Sequence, residues 1–171
     1  MPSESWPGYQ HLFCRPYPKL YTLPNWALAS HETVAYGPDG AEFAFIKRYD
    51  GPSISTDFYI LFGQVEIVMQ AAPGIGIISS VVLMSDDADE IDFEFSGNDF
   101  GKASGTVQTN YFGKGIVGSY DRATQPAVTN PQSEFHIYTL DWSATTLTWS
   151  VDGSGSPHTS TSTRLTGAPR R

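Results

Sequence analysis

Hydrophobic and polar residues alternate along short segments over much of this chain. Over residues 62–71, Val65, Ile67 and Met69 would lie on one side of an extended strand, and mainly polar residues would lie on the other. This period of two predicts a strand with one face in a core and one face in water. By contrast, residues 76–84 are almost continuously apolar, which predicts a central strand that is buried on both faces.

Further short segments, rich in Val, Ile, Phe, Tyr and Thr, lie between clusters of Gly, Pro, Asn and Asp that are typical of turns. Helix signals are almost absent. The predicted strands are residues 42–49, 62–71, 76–84, 89–95, 105–112, 133–142 and 146–153. Many short strands at this spacing predict an all-β fold, a sandwich of two sheets.

The two ends of the chain differ in character from the middle. We expect residues 1–20 to be an irregular segment, residues 21–152 to form the sandwich domain, and residues 153–171 to be disordered. The last segment is rich in Gly, Ser and Thr, so it cannot bury enough apolar area to offset its ordering entropy. Neither end predicts a secretory signal or an apolar anchor, and the apolar run 75–84 is too short to span a bilayer.

The overall charge changes the range of partners to consider. A formal net charge of -8 argues against nucleic acid, because phosphate contacts require Lys and Arg, whereas neutral ligands fit it well. Aromatic residues make up 13% of the chain, which suits a core or a groove that stacks sugars. The single Cys14 allows no intrachain disulfide. No His or Cys spacing predicts a transition-metal site, and we predict neither a metal nor another cofactor.

The segment DEIDFEF, residues 89–95, carries the densest candidate chemistry. In a strand, Glu90, Asp92 and Glu94 share one face, and the apolar residues between them share the other. Three interpretations of this carboxylate row remain open. It could be the solvated face of a sheet, part of an irregular calcium site drawn from the acids between Asp86 and Asp99, or a catalytic pair.

Geometry makes the catalytic interpretation attractive. The Cα atoms of Glu90 and Glu94 would lie ~13 Å apart in a strand, at ~3.3 Å per residue. Two Glu side chains leaning together could bring their carboxyl groups to roughly 5 to 6 Å, the separation that retaining glycosidases use. Asp92 is shorter and lies between them, so it would not reach a sugar but could share a proton with a flanking Glu and raise that neighbour's pKa.

At this point the chain resembles a known family. DEIDFEF, together with YGPDGAEFAFIKRYDGPSI, VQTNYFGKG and FHIYTLDWSATTLTWSVDG, resembles glycoside hydrolase family 16. Within that family it is most similar to the fungal cell-wall Crh-type transglycosylases, over roughly residues 26–153. The resemblance implies a concanavalin-like β-jelly-roll. It also implies that Glu90 is the nucleophile, Glu94 the acid/base and a substrate contact, and Asp92 the residue that holds or tunes the nucleophile.

The resemblance also suggests residues that bind the substrate. Tyr111 and Phe112 follow on the next strand and would provide a sugar platform, and Lys114 would reach a hydroxyl group.

A further spacing typical of the family occurs in the segment 136–142. Its matching positions are His136, Tyr138 and Trp142, to which we assign core packing.

The implied function is retaining hydrolysis or transfer of O-glycosyl bonds in chitin and β-glucan, which serves cell-wall organisation. The resemblance implies an extracellular or cell-wall location, and we expect a monomer. Because the family continues with further strands beyond residue 153, where this chain has its polar tail, we expect the sandwich to be incomplete at its C-terminal end. The alternatives are a sugar-binding sandwich without catalysis and an inactive fragment of such an enzyme.

Overall fold

The computed structural model describes residues 10–15, 26–28, 33–37, 40–56, 58–98, 104–116, 123–153 and 160–161. These residues form strands and the turns between them. The strands are β1 (Gln10–Arg15), β2 (Trp26–Leu28), β3 (Val34–Gly37), β4 (Gly40–Phe45), β5 (Ile54–Thr56), β6 (Gly63–Gln70), β7 (Ile78–Met84), β8 (Glu90–Ser96), β9 (Ser104–Phe112), β10 (Ala127–Thr129), β11 (His136–Trp142), β12 (Thr146–Val151) and β13 (Ser160–Thr161).

Two main sheets make up the described part of the chain. The larger has seven strands in the order β13-β12-β11-β6-β1-β4-β3, and the smaller has four in the order β10-β9-β8-β7. Strands β2 and β5 form a separate pair. All these pairings are antiparallel. The predicted all-β class is therefore confirmed.

The core lies between the two main sheets and is centred on Tyr138 of β11, which is completely buried. Its ring packs edge-to-face against Phe95 of β8, with 4.8 Å between ring centroids, and against Phe93 at 5.8 Å. Aromatic pairs of this kind add about 0.5 to 1.5 kcal/mol beyond the area they bury. Met69 of β6 and Leu140 of β11 join the same cluster.

Strand β6 has the predicted alternation. Met69 is completely buried, Val65 and Ile67 pack against the core, and Glu66 is exposed. The strand pairs with β11 from Gly63 to Met69. The period of two therefore predicted both the strand and its buried face correctly.

The prediction that residues 76–84 form a central strand buried on both faces is wrong. Strand β7 lies at the end of the four-stranded sheet, where it pairs with β8. Val81 and Leu83 pack against the core, but Ile78, Val82 and Met84 are 52%, 42% and 57% exposed. Apolar composition marked the strand but could not distinguish an edge position from a central one.

Both chain ends contain more strand than expected. β1 lies within the segment that was expected to be irregular, and it pairs with β4 on one side and β6 on the other. Its backbone thus joins two strands that are distant in sequence, which local patterning does not reveal. β13, within the segment expected to be disordered, pairs with β12. The other residues of these two segments lie outside the described part of the chain, so the domain boundaries stay a prediction.

A buried histidine connects β11 with the turn after β12. His136 is 7% exposed, and its Nδ1 lies 2.7 Å from Oδ2 of Asp152. The other carboxylate oxygen of Asp152 accepts a hydrogen bond from the backbone N–H of Ile137. Partial burial raises the pKa of Asp152, but these two hydrogen bonds outweigh that effect and lower its pKa overall.

Core packing is confirmed for His136 and Tyr138, which are buried, and for Trp142, which packs against the core cluster and the ring of Phe62. The described residues contain no helix with the length and hydropathy that crossing a bilayer would require.

The buried hydroxyl of Tyr138 gives a test of the core. Among the residues that the structure describes, this hydroxyl has no hydrogen-bond partner, and a buried polar group without a partner costs about 1 to 3 kcal/mol. We expect Tyr138→Phe to leave the free energy of unfolding unchanged or to raise it by about 1 kcal/mol, measured by urea denaturation. The matched variant Tyr138→Ala should lower it by about 3 to 5 kcal/mol, because it leaves a cavity. A clear loss of stability in Tyr138→Phe would contradict this account.

Candidate active site

Strand β8 contributes to the core with one face and presents the carboxylate row on the other. Ile91, Phe93 and Phe95 are all at most 4% exposed and belong to the core cluster. Because side chains alternate along a strand, the carboxylate row lies on the opposite face of the four-stranded sheet, here called the outer face. Pairing with β7 and β9 is continuous from residue 90 to 95, so no bulge interrupts the alternation.

The neighbouring strands define the surroundings of the row. Residues directly opposite each other in an antiparallel pair share a face of the sheet. The flanking pairs are Met84 and Phe112 for Glu90, Val82 and Asn110 for Asp92, and Ser80 and Gln108 for Glu94. The two glutamates differ in exposure, since Glu90 is half-buried and Glu94 is exposed. A ligand on the outer face therefore has freer access to Glu94.

Asp92 is only 3% exposed, unlike the two glutamates. The pKa of Asp92 is raised to about 7, mainly by burial and then by the charges of Glu94 and Glu90, whereas a hydrogen bond from the backbone of Asn110 acts in the opposite direction. From the core side, Nε1 of Trp149 donates a hydrogen bond to the carbonyl oxygen of Asp92, at 3.2 Å. Near neutral pH the Asp92 carboxyl can therefore gain or lose a proton, which suits a group that shares one with its neighbours.

The prediction of a sugar platform at Tyr111 needs correction. Tyr111 is 7% exposed and belongs to the core cluster, where its ring stacks on Trp149 with 6.5 Å between centroids. Adjacent residues of a strand point to opposite faces, so Tyr111 and Phe112 cannot both line the outer face. Phe112 is the one that does, directly opposite Glu90.

Lys114 lies in the turn after β9, with its side chain exposed and a φ of 52°. Its backbone N–H donates to Oδ1 of Asp89 at 2.8 Å, and Gly115 N–H donates to the carbonyl of Ala88 at 2.7 Å. These bonds hold the turn against the start of β8, so Lys114 lies near the Glu90 end of the row.

Sequence reasoning missed two features of this region. Asp89 fixes the position of Lys114, and its only signal was a carboxylate directly before the strand. On the outer face of β7, Val82 and Met84 place exposed apolar surface beside the row. A period-two interpretation of residues 78–84 would have found them.

An exposed apolar segment, residues 58–62, approaches the same end of β8. The hydroxyl of Tyr59 donates to Oδ1 of Asp86 at 2.6 Å, and this bond, followed by the nearby charge of Asp86, raises the pKa of Tyr59. The segment is thus tied to the turn between β7 and β8. In the part of the chain that the structure describes, no group of three or more His, Cys, Asp and Glu is placed to hold a metal ion.

Comparison with known families and structures gives consistent results. The sequence matches the family described as glycosyl hydrolases family 16 over residues 25–168. It is 51% identical over 131 residues to Crh-like protein 5 of Aspergillus fumigatus, covering 77% of this chain and 32% of that protein. It is 45% identical over 120 residues to Congo red hypersensitive protein 1 of Saccharomyces cerevisiae, covering 70% of this chain and 23% of that protein. The chain thus spans about a third or less of the length of these curated relatives.

Solved structures agree in fold. The apo Crh5 transglycosylase is 46% identical, with a TM-score of 0.74, and the match covers 84% of this chain and 57% of that one. A second structure of Crh5 transglycosylase, in complex with NAG, gives a TM-score of 0.73. A β-glucanase of Bacillus licheniformis, at 23% identity, has a TM-score of 0.67 over 91% of this chain. The predicted jelly-roll sandwich and the resemblance to Crh-type proteins are both confirmed.

The pKa of Asp92 predicts how stability depends on pH. Because the folded state raises this pKa from 3.8 to about 7, the stabilisation from protonated Asp92 is complete below the unfolded value and is lost as pH rises through about 7. We expect Asp92→Asn to be more stable than the parent at pH 8, by up to about 4 kcal/mol at about 1.4 kcal/mol per pKa unit. This advantage should shrink toward pH 4.

Thermal unfolding between pH 4 and 8 would measure this difference. Glu66→Gln, which removes an exposed carboxylate from the other sheet, is the matched control and should show little pH-dependent change. A stability difference between Asp92→Asn and the parent that stays constant or grows as pH falls would contradict the raised pKa of the buried Asp92 carboxyl.

Proposed function

We propose that this chain, which belongs to glycosyl hydrolases family 16, carries retaining transglycosylase chemistry that transfers segments of chitin to β-glucan. The observation that carries the proposal is the uninterrupted strand β8, which presents Glu90 and Glu94 on one face with buried Asp92 between them. Two acids four residues apart on one strand can flank a glycosidic bond closely enough for double displacement.

The chemistry takes two steps. In the first, a carboxylate oxygen of Glu90 bonds to the anomeric carbon while Glu94 donates its proton to the departing glycosidic oxygen. In the second, Glu94 accepts the proton of an incoming hydroxyl group, whose oxygen bonds to the anomeric carbon and releases Glu90. Water as acceptor gives hydrolysis, and a sugar hydroxyl gives transfer.

Asp92 is assigned a contact with the nucleophile Glu90 rather than with the sugar, because its side chain is shorter than those of the glutamates and almost fully buried. When protonated, it can donate a hydrogen bond to the carboxylate of Glu90 and favour the ionised form that attacks. Its pKa of about 7 makes both forms available near neutral pH.

The outer face offers contacts for a sugar chain. Phe112 lies beside Glu90, and the exposed apolar surface of Val82 and Met84 suits the C–H faces of β-linked sugars. Lys114, in the turn held against the start of β8, is assigned a contact with a sugar hydroxyl group. Neutral polysaccharides also fit a chain with a net charge of -8.

The choice of transfer is supported by the 46% identity to the Crh5 transglycosylase, and the choice of chitin by the NAG in one of its structures. The choice of β-glucan follows from the resemblance to the Crh-type proteins. The similar Crh-like proteins come from fungi such as Aspergillus fumigatus, and we propose that the activity lies outside the cell, at the fungal cell wall.

Mass spectrometry tests the proposed reaction directly. The chain is incubated with chito-oligosaccharides and a labelled β-glucan oligosaccharide, and hybrid products are expected. Glu90→Gln should reduce their formation at least about 1,000-fold, as loss of a nucleophile does elsewhere. Glu66→Gln, on the other sheet, should leave it unchanged.

Other outcomes identify the alternatives. Sugar binding that persists equally in the parent and in Glu90→Gln, without turnover, would indicate a binding module. The absence of a cooperative unfolding transition would indicate an inactive fragment.

The role of Phe112 gives a separate prediction. Phe112→Ala should raise KM about tenfold with little change in kcat, because a stacking contact binds ground state and transition state alike. Phe112→Tyr should retain the parent values, and Tyr36→Ala, which removes an exposed aromatic ring from β3, should have no effect. A fall in kcat at constant KM would contradict a platform role.

A further inference from the structure

Asn110 is a buried polar residue to which the mechanism gives no role. It lies on β9 directly opposite Asp92 on the outer face, and it is 1% exposed. Side chains that face each other in this way have Cβ atoms about 4.5 to 5.5 Å apart, although no hydrogen bond joins these two in the structure.

The orientation of the Asn110 amide follows from its hydrogen bond. Its Oδ1 accepts from the backbone N–H of Tyr111 at 2.9 Å. Since an N–H group can pair only with an acceptor, the amide oxygen must occupy that position, and Nδ2 must point elsewhere.

Among the described residues, two buried atoms on this pair lack hydrogen-bond partners. Nδ2 of Asn110 has no acceptor there, and Oδ1 of Asp92 has no donor. One is a donor and the other an acceptor, and they belong to side chains that face each other across the ladder. Each would satisfy the other, and buried polar groups are rarely left unpaired in native proteins.

We propose that Asn110 is a positioning residue for Asp92, whose ionised carboxylate accepts a hydrogen bond from Asn110 Nδ2. This role rests on the proposed function, in which Asp92 exchanges a proton with its neighbours. By favouring the ionised form, Asn110 opposes the burial and the two flanking charges that favour the protonated form. The amide thereby sets the pH at which Asp92 changes state.

With this hydrogen bond, the contacts around Asp92 form a continuous ring that includes residues of both sheets. Trp149 donates to the Asp92 carbonyl and stacks on Tyr111, and the Tyr111 backbone orients the amide of Asn110. Tyr111, although unsuited to contact a sugar, contributes to the site through this ring of contacts.

Few groups compete with Asn110 for control of Asp92. On β8 itself, Glu90 and Glu94 are the titratable neighbours. Trp149 of β12 is uncharged. The described residues that face Asp92 from β7 and β9 are also uncharged, namely Ser80, Val82, Met84, Gln108, Asn110 and Phe112.

Carbon-13 NMR of labelled Asp side chains tests the proposal without requiring activity. The Asp92 carboxyl signal, assigned by its loss in Asp92→Asn, is titrated in the parent and in Asn110→Leu, which keeps the branched shape of the side chain but removes the amide. We expect the midpoint to rise by about one pH unit in Asn110→Leu, consistent with the loss of one hydrogen bond to the charged form. The control Gln108→Leu, opposite Glu94, should leave the Asp92 midpoint in place.

Asn110→Ala serves as a second variant that is less crowded, and it should also raise the midpoint. An unchanged or lower midpoint in both variants would overturn the proposal, whether or not the chain transfers sugars. If the chain is active, the limb of the pH profile of kcat/KM that reports the ionisation of Asp92 should move by the same amount, with KM unchanged. A merely structural role would not produce this shift. A titration shift in a chain without turnover would support the role of Asn110 while contradicting the proposed function.

Discussion

The alternation of side chains along β8 is the constraint on which both the fold and the site depend. Phe93 and Phe95 hold the two sheets together through Tyr138, and the acids that alternate with the apolar residues of β8 can only point the other way. The strand therefore cannot slip by one residue without placing three carboxylates in the core and the aromatic rings in water. Packing of the core fixes the position of the acids before any ligand is bound, and such preorganisation is what acid/base chemistry requires.

The same arrangement has an electrostatic cost. Three carboxylates on alternate residues repel one another, and the middle one has almost no access to water. In a passive sheet this would simply reduce stability. Here the burial falls on Asp92, which is too short for sugar contact, while Glu94 remains exposed. Under the proposed function, the sheet would separate a group that exchanges protons internally from groups that meet the substrate, and neighbouring positions of one strand would serve both tasks.

The sequence correctly predicted the strands whose own alternation of apolar and polar residues identifies the buried face. β6 and β8 alternate cleanly, so their buried faces were correct. β7 was misplaced because a run such as VVLM is compatible with an edge or a central strand, and only its pairing decides. β1, with the sequence QHLFCR, has no clean alternation, and its position depends on distant β4 and β6.

Tyr111 and Phe112 were both assigned to the site although the side chains of adjacent strand residues point to opposite faces. Asn110 was missed because an amide becomes notable only when its partner across the ladder is known.

The hydrogen bond from Trp149 to the carbonyl of Asp92 has a spectroscopic consequence. It links β12 of the larger sheet to the centre of the carboxylate row in the smaller one. An indole that is 8% exposed and bonded at this position emits fluorescence whose wavelength depends on how the two sheets are seated. Once its emission is separated from that of the other three Trp residues of the chain, Trp149 therefore reports on the integrity of the candidate site in samples that contain no sugar.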